Sequence, residues 1–173
     1  MKVYFASDHA GFETKNALVE YVRRLGYEVE DCGAHTFDKD DDYPGIIASA
    51  AQKLSQDALR GMDSRAIVAG ASGQGEAMVA NRFAGVRCAL YYGPAFALAS
   101  DGQWTPVEQT DMSGKTLDVL SSTREHNDAN ALSLGLRFLT PEQAKDAVKR
   151  WLGQAFSGEE RHLRRIRAVD SAL

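Results

Sequence analysis

The chain has 173 residues, enough for one domain with a real core and too few for two comfortable ones. Its hydrophobic share of 44% and charged share of 25% are ordinary for a globular protein, and a net charge of −4 offers no basic field to attract nucleic acid or anionic lipid. The apolar runs are far too short to span a bilayer, so neither a nucleic-acid nor a membrane partner is expected.

The opening Met1-Lys2-Val3-Tyr4-Phe5-Ala6-Ser7-Asp8-His9 meets a charged pair too early for a secretory signal, so a cytoplasmic protein is expected. Val3 to Ala6 reads as a buried strand. Phe12 to Leu25 carries Leu18, Val19, Val22 and Leu25 at helical spacing, closed by Gly26. Tyr27 to Asp31 alternates as a second strand. Phe37 to Tyr43 is an acidic loop, and Pro44 opens a helix through Ile46, Ile47 and Ala51. Ala66 to Ala69, wholly apolar, suits a strand covered on both faces. Gly70 to Gly75 is a glycine-rich turn into a helix from Glu76 to about Arg82.

Val86 to Tyr92 and Ala131 to Leu134 give a fourth and a fifth strand. Pro141 to Leu152 is a helix capped by Thr140, and a basic helical stretch, Arg161 to Arg167, follows. Asp101 to Thr123 is polar and aperiodic, a loop inserted between a helix and the segment around His126. The alternation predicts a doubly wound, Rossmann-like α/β sandwich, a five-stranded parallel sheet with helices on both faces. Cys32 and Cys88 lack CxxC spacing and read as small buried hydrophobes.

Ligands of open parallel sheets collect beyond the carboxyl ends of the strands. Three features are expected there: Asp8-His9, the glycine turn, and Glu125-His126-Asn127-Asp128 ahead of the fifth strand. The turn Gly70-Ala71-Ser72-Gly73-Gln74-Gly75 offers backbone N–H groups to an anion or oxyanion, or is simply a tight connection needing glycine. Its glycine order is neither the dinucleotide fingerprint nor a Walker loop. Glu76 reads either as a favourable charge in a helix's first turn or as a general base. His9 and His126 are structural or functional; no spacing joins them into a metal site, and no metal is expected. Arg161 and Arg165, at i, i+4, suit a phosphate or form a solvated tail.

Together these segments carry a resemblance. Ser7-Asp8-His9-Ala10-Gly11-Phe12, Asp41-Asp42-Tyr43-Pro44, Gly73-Gln74-Gly75 leading to Ala80-Asn81-Arg82, Arg124 to Asn130, Leu134-Gly135-Leu136-Arg137 and Arg161 to Arg165 occur in order. The chain resembles the ribose-5-phosphate isomerase type B and galactose-6-phosphate isomerase family from Met1 to about Val169, with 101–123 outside the likeness. Many members carry a cysteine at the position of Gly70; a second group uses a glutamate at that of Glu76, and this chain is similar to the second.

The resemblance implies aldose–ketose isomerisation of ribose 5-phosphate and ribulose 5-phosphate through an enediolate, with no cofactor. It implies Glu76 as base, amides from Ala71 through Ser72, Gly73 and Gln74 to Gly75 with the Ser72 hydroxyl as oxyanion donors, and His126 in ring opening. Asp8 would sit at the sugar hydroxyls, Asn127 and Tyr43 would contact the sugar, and His9, Arg137, Arg161 and Arg165 would hold the phosphate. The last pair would come from a partner subunit reached by the C-terminal basic helix, residues 158–170, in a homodimer or a tetramer. Ala71, where the family usually has glycine, departs from the pattern. Open alternatives are another phosphosugar (a tetrose 4-phosphate, galactose or allose 6-phosphate) and a non-catalytic phosphosugar-binding subunit.

Overall fold

Two strands, β1 (Lys2–Ser7) and β3 (Ser64–Gly70), form the centre because their side chains are apolar on both faces. The computed structural model describes residues 1–99 and 105–171. Around those strands β2 (Glu28–Asp31), β4 (Cys88–Tyr91) and β7 (Ala131–Gly135) complete a five-stranded sheet of order β2-β1-β3-β7-β4, every pair parallel. The predicted strands and α/β sandwich are therefore present.

The two-residue period of the strands sorts their side chains into two cores. Val3 and Phe5 of β1, Ile67 and Ala69 of β3, and Leu132 and Leu134 of β7 face one side. Against them pack α1 (Phe12–Arg24), α4 (Val119–Glu125) and α5 (Pro141–Gly153) through Leu18, Val22, Leu120, Val148 and the fully buried Trp151. Tyr4, Ala6, Ala66, Val68 and Ala131 face the other side, covered by α2 (Tyr43–Leu59) and α3 (Gln74–Ala80) through Ile47, Ala50, Leu54 and Ala80. Thr140 caps α5 in a reciprocal capping box with Gln143. α6 (Glu160–Asp170) ends the described chain. Among the described residues no helix is long and apolar enough to cross a membrane.

The segment 101–123, predicted as a loop after a helix, differs. Residues 101–104 lie outside the described residues. Strand β5 (Ala97–Leu98), not a helix, precedes it and pairs antiparallel with β6 (Pro106–Val107), and Thr110 bridges Thr116. Val119 already starts α4, whose N-cap Asp118 accepts the Ser121 N–H and whose Leu120 anchors it in the core. Cys32 and Cys88 are partly buried, and burial raises their thiols to about 11 and about 12, too high for reactive thiolates at neutral pH.

Candidate active site

The turn from β3 into α3 follows from its glycines. Gly73 takes φ of +71°, and a Cβ there would lie 2.8 Å from Leu90 and 3.0 Å from the Leu134 carbonyl. Only glycine fits that approach. Its carbonyl accepts the buried Ser133 hydroxyl at 2.7 Å. On the other side Leu136 and Arg137 donate their N–H groups to the carbonyls of Gly70 and Ala71, both at 3.0 Å. Ala71 takes no positive φ, so its methyl fits the turn without backbone strain.

Glu76 stands in the first turn of α3, 4% exposed, with its carboxyl group directly over Gly70. Burial pushes this carboxyl above the ordinary range; a bond from its own N–H opposes the rise and the nearby Asp8 carboxylate adds to it. Asp8, 8% exposed, follows β1 and turns the chain by accepting the N–H groups of Ala10 at 3.0 Å and Gly11 at 3.2 Å. Tyr43 lays its ring against Gly75, where a Cβ would come within 2.6 Å of it. Asp8, Tyr43, Ala71, Ser72, Gln74, Gly75, Glu76 and Met78 together line one cavity of about 420 Å³.

His9 lies beside this cavity's Asp8 and binds Asp41, Nδ1 to Oδ1 at 2.6 Å, with its own N–H on the same oxygen at 3.2 Å. That bond chiefly raises the imidazole pKa, while Arg137 is close enough to oppose the rise. Asp41 was not among the predicted site residues, although its motif was recognised. Asp8, His9 and Asp41 also bring three donor atoms within 4.8 Å, a spacing open to a metal ion. One Asp41 oxygen is already committed to His9.

The remaining predicted residues gather elsewhere. Ala131, first in β7, pairs with Ala66, and Gly135, last, pairs with Gly70. The segment before Ala131 thus leaves the sheet at its amino edge, while Gly70 and Asp8 stand at the carboxyl edge. The expectation that Glu125 to Asp128 shares the carboxyl edge is corrected: residues preceding a parallel strand lie at its opposite end. Five residues at about 3.3 Å each keep the two edges about 15 Å or more apart.

At that second edge His126 caps α4, its ring 4.6 Å from the His162 ring. The His126 Nε2 meets Asp111 Oδ2 at 3.2 Å. His162 is buried against the Ser157 hydroxyl, and burial lowers its pKa, with His126 the next cause. Arg161 pairs with Glu159 at 2.8 Å. Asn127 and Arg165 border a separate cavity of about 480 Å³ with Asn81, Cys88 and Val169. The shape of this edge is set by Arg124, which is buried and donates to Asp128 and the Ala129 carbonyl, both at 2.7 Å. One chain therefore holds two groups of predicted residues: Asp8, His9, Tyr43, Ala71 to Glu76 and Arg137 in one, and His126, Asn127, Arg161 and Arg165 in the other.

Comparison with known proteins gives this pattern a family. A family model described as Ribose/Galactose Isomerase matches residues 3–102 and 117–169, leaving 103–116 outside it. Ribose-5-phosphate isomerase B of Mycolicibacterium paratuberculosis is 34% identical over 166 residues, 96% of this chain and 87% of that protein. The enzyme of the same name from Escherichia coli is 30% identical over 168 residues, 97% of this chain and 93% of that one. The crystal structure of ribose-5-phosphate isomerase B from Mycoplasma genitalium with bound ribulose-5-phosphate has a TM-score of 0.79 at 27% identity, covering 99% of this chain and 95% of that chain. The chain belongs to the ribose/galactose isomerase family.

Proposed function

We propose that the chain interconverts ribose 5-phosphate and ribulose 5-phosphate, with Glu76 moving the proton. The observation carrying this reading is a nearly buried carboxylate of raised pKa, set over a glycine on the wall of a cavity of about 420 Å³. A base of that kind binds the proton it removes more strongly than an ordinary carboxylate does. Glu76 takes the C2 proton of the open aldose, giving an enediolate, and returns it to C1. The charge left on oxygen is met by amides between Ala71 and Gly75 and by the Ser72 hydroxyl, while Asp8 moves a proton between O1 and O2.

His9, whose pKa the bond with Asp41 raises, and Arg137 take the phosphate from one chain. His126 and Asn127 approach the sugar, and Arg161 and Arg165 the phosphate, from a second copy. The two-edge arrangement supports this sharing, because the amino edge of one sheet can meet the carboxyl edge of another only between copies. A homodimer is the minimum assembly, and a tetramer of two such pairs is compatible. The His9–Asp41 pair is read as a phosphate grip and not a metal site, since a cation there would compete for the same carboxylate. The reaction then needs no metal or organic cofactor, and a phosphosugar substrate supports reading the protein as cytoplasmic.

A second reading keeps the chemistry but changes the sugar. It is favoured by Asp111, which belongs to the stretch outside the family match and stands against His126, the group assigned to the sugar ring. A coupled assay on metal-stripped protein across pentose, tetrose and hexose phosphates tests both readings. Ribose 5-phosphate is expected to give the highest kcat/KM, unchanged by chelator. A preference for a tetrose or hexose phosphate would select the second reading, and no turnover on any of them would leave a binding subunit.

A further inference from the structure

Asp111 lies in the only stretch of the chain between residues 3 and 169 that the family model skips, yet it reaches a residue inside a family motif. Its surroundings are built. Asp111 Oδ1 accepts the Ser113 N–H at 2.7 Å, the Ser113 hydroxyl at 2.6 Å and the Lys115 N–H at 3.1 Å. The Asp111 N–H returns to the Lys115 carbonyl at 2.8 Å, and Gly114, at φ of +82°, closes the turn onto the Asp111 carbonyl. Lys115 Nζ then pins the turn to Glu125, one residue before His126, at 2.8 Å. The carboxylate is 10% exposed, and its second oxygen is directed at His126 Nε2.

We infer that Asp111 is a positioning residue for His126, holding the ring with its proton on Nε2 and leaving Nδ1 to exchange protons with the substrate. A carboxylate held by three donors only accepts, so the nitrogen facing it must donate. The imidazole also packs against the His162 ring, centroid to centroid at 4.6 Å and tilted by 44°, and His162 is itself anchored through Ser157. A ring fixed on two sides cannot flip its nitrogens without losing both contacts. Partners of this kind, one step behind a working histidine, fix tautomer and orientation.

The inference rests on the reading of His126 as the ring-opening group. Opening a furanose breaks C1–O4, forms C1=O1 and carries one proton from the O1 hydroxyl to O4. Nδ1 accepts that proton and delivers it to O4, and the imidazolium between the two transfers is stabilised by Asp111. No other reactant is needed.

The test compares ribose 5-phosphate with its 4-deoxy analogue, which lacks O4 and cannot close a furanose ring. For Asp111→Asn, whose amide would donate to Nε2 and impose the opposite tautomer, kcat/KM on ribose 5-phosphate is expected to fall about 10–100-fold, while the acyclic analogue stays within about twofold. Equal loss on both substrates, or none on either, would overturn the inference. Glu76→Gln abolishes turnover of both if the isomerase reading holds, so the two claims fail separately. Nitrogen-15 shifts of His126 in the unmodified protein give a readout independent of any variant. Protonated Nε2 is expected, and protonated Nδ1 with bare Nε2 would refute the assignment.

Discussion

Gly70 and Glu76 share one volume: a methyl group built on Gly70 would overlap the Glu76 carboxyl group and come within 3.0 Å of even its farther oxygen. The carboxylate reaches its place because residue 70 has no side chain. A cysteine at 70 and a glutamate at 76 therefore cannot both hold this geometry, which gives a steric reason for the two alternative bases that the resemblance describes. Gly70 itself needs no positive φ.

Gly70→Ala is thus expected to fold and to displace the Glu76 carboxylate. Loss of a positioned base is worth about 10²–10⁴ in rate, so kcat should drop by roughly that factor while phosphosugar binding persists. Turnover within about threefold of the parent would mean that Glu76 works from elsewhere.

Two raised pKa values shape the pH profile. Glu76 must be ionised to accept a proton, so kcat is expected to fall as pH drops through a pKa raised by burial above the ordinary carboxylate range. His9 must be protonated to hold phosphate, so KM is expected to rise as pH climbs through a pKa raised by Asp41. In Asp41→Asn the alkaline limb should move to lower pH and the acid limb should stay.

Burial of Glu76 also weighs on stability. A group whose folded pKa is raised stabilises fully below its unfolded pKa, and that contribution is lost as pH rises through the folded value. Near neutrality the ionised Glu76 therefore opposes folding, as catalytic groups often do. Glu76→Gln is expected to melt above the parent at pH 7 to 8 and to lose that advantage in acid. Thermal unfolding across pH measures the difference, and a variant less stable than the parent at pH 8 would contradict the assigned burial cost.

Sharing of the site between copies predicts complementation. Glu76→Gln and the double variant Arg161→Ala/Arg165→Ala should each be nearly inactive alone. Refolded together they form mixed dimers with one intact site, and about a quarter of the parent activity is expected for random pairing. Recovery of none would place the arginines and the base in the same chain's site, and full activity of either variant alone would place its residues outside catalysis.

Much of this was legible in the sequence. The strands are apolar on both faces, the glycine turn needs its φ values, and Thr140 with Pro141 and Gln143 writes a helix start in the open. Helix α4 was not legible, because Val119–Glu125 buries only Leu120 among its apolar residues and one residue sets no period. Asp41 and Asp111 bind histidines 32 and 15 residues away, and no local pattern announces such a pair. Placing His126 beside Glu76 overlooked chain direction. A segment that enters a parallel strand and one that leaves it stand at opposite edges, which is why the proposed site draws on a second copy.

The proton transfer itself is the most direct test. Ribose 5-phosphate incubated with the protein in D₂O should acquire solvent deuterium at the carbons that exchange, C2 of the aldose and C1 of the ketose. With Glu76→Gln this exchange is expected to fall by about three orders of magnitude while the variant still binds the sugar phosphate. Exchange continuing at the parent's rate in that variant would show that another group removes the proton.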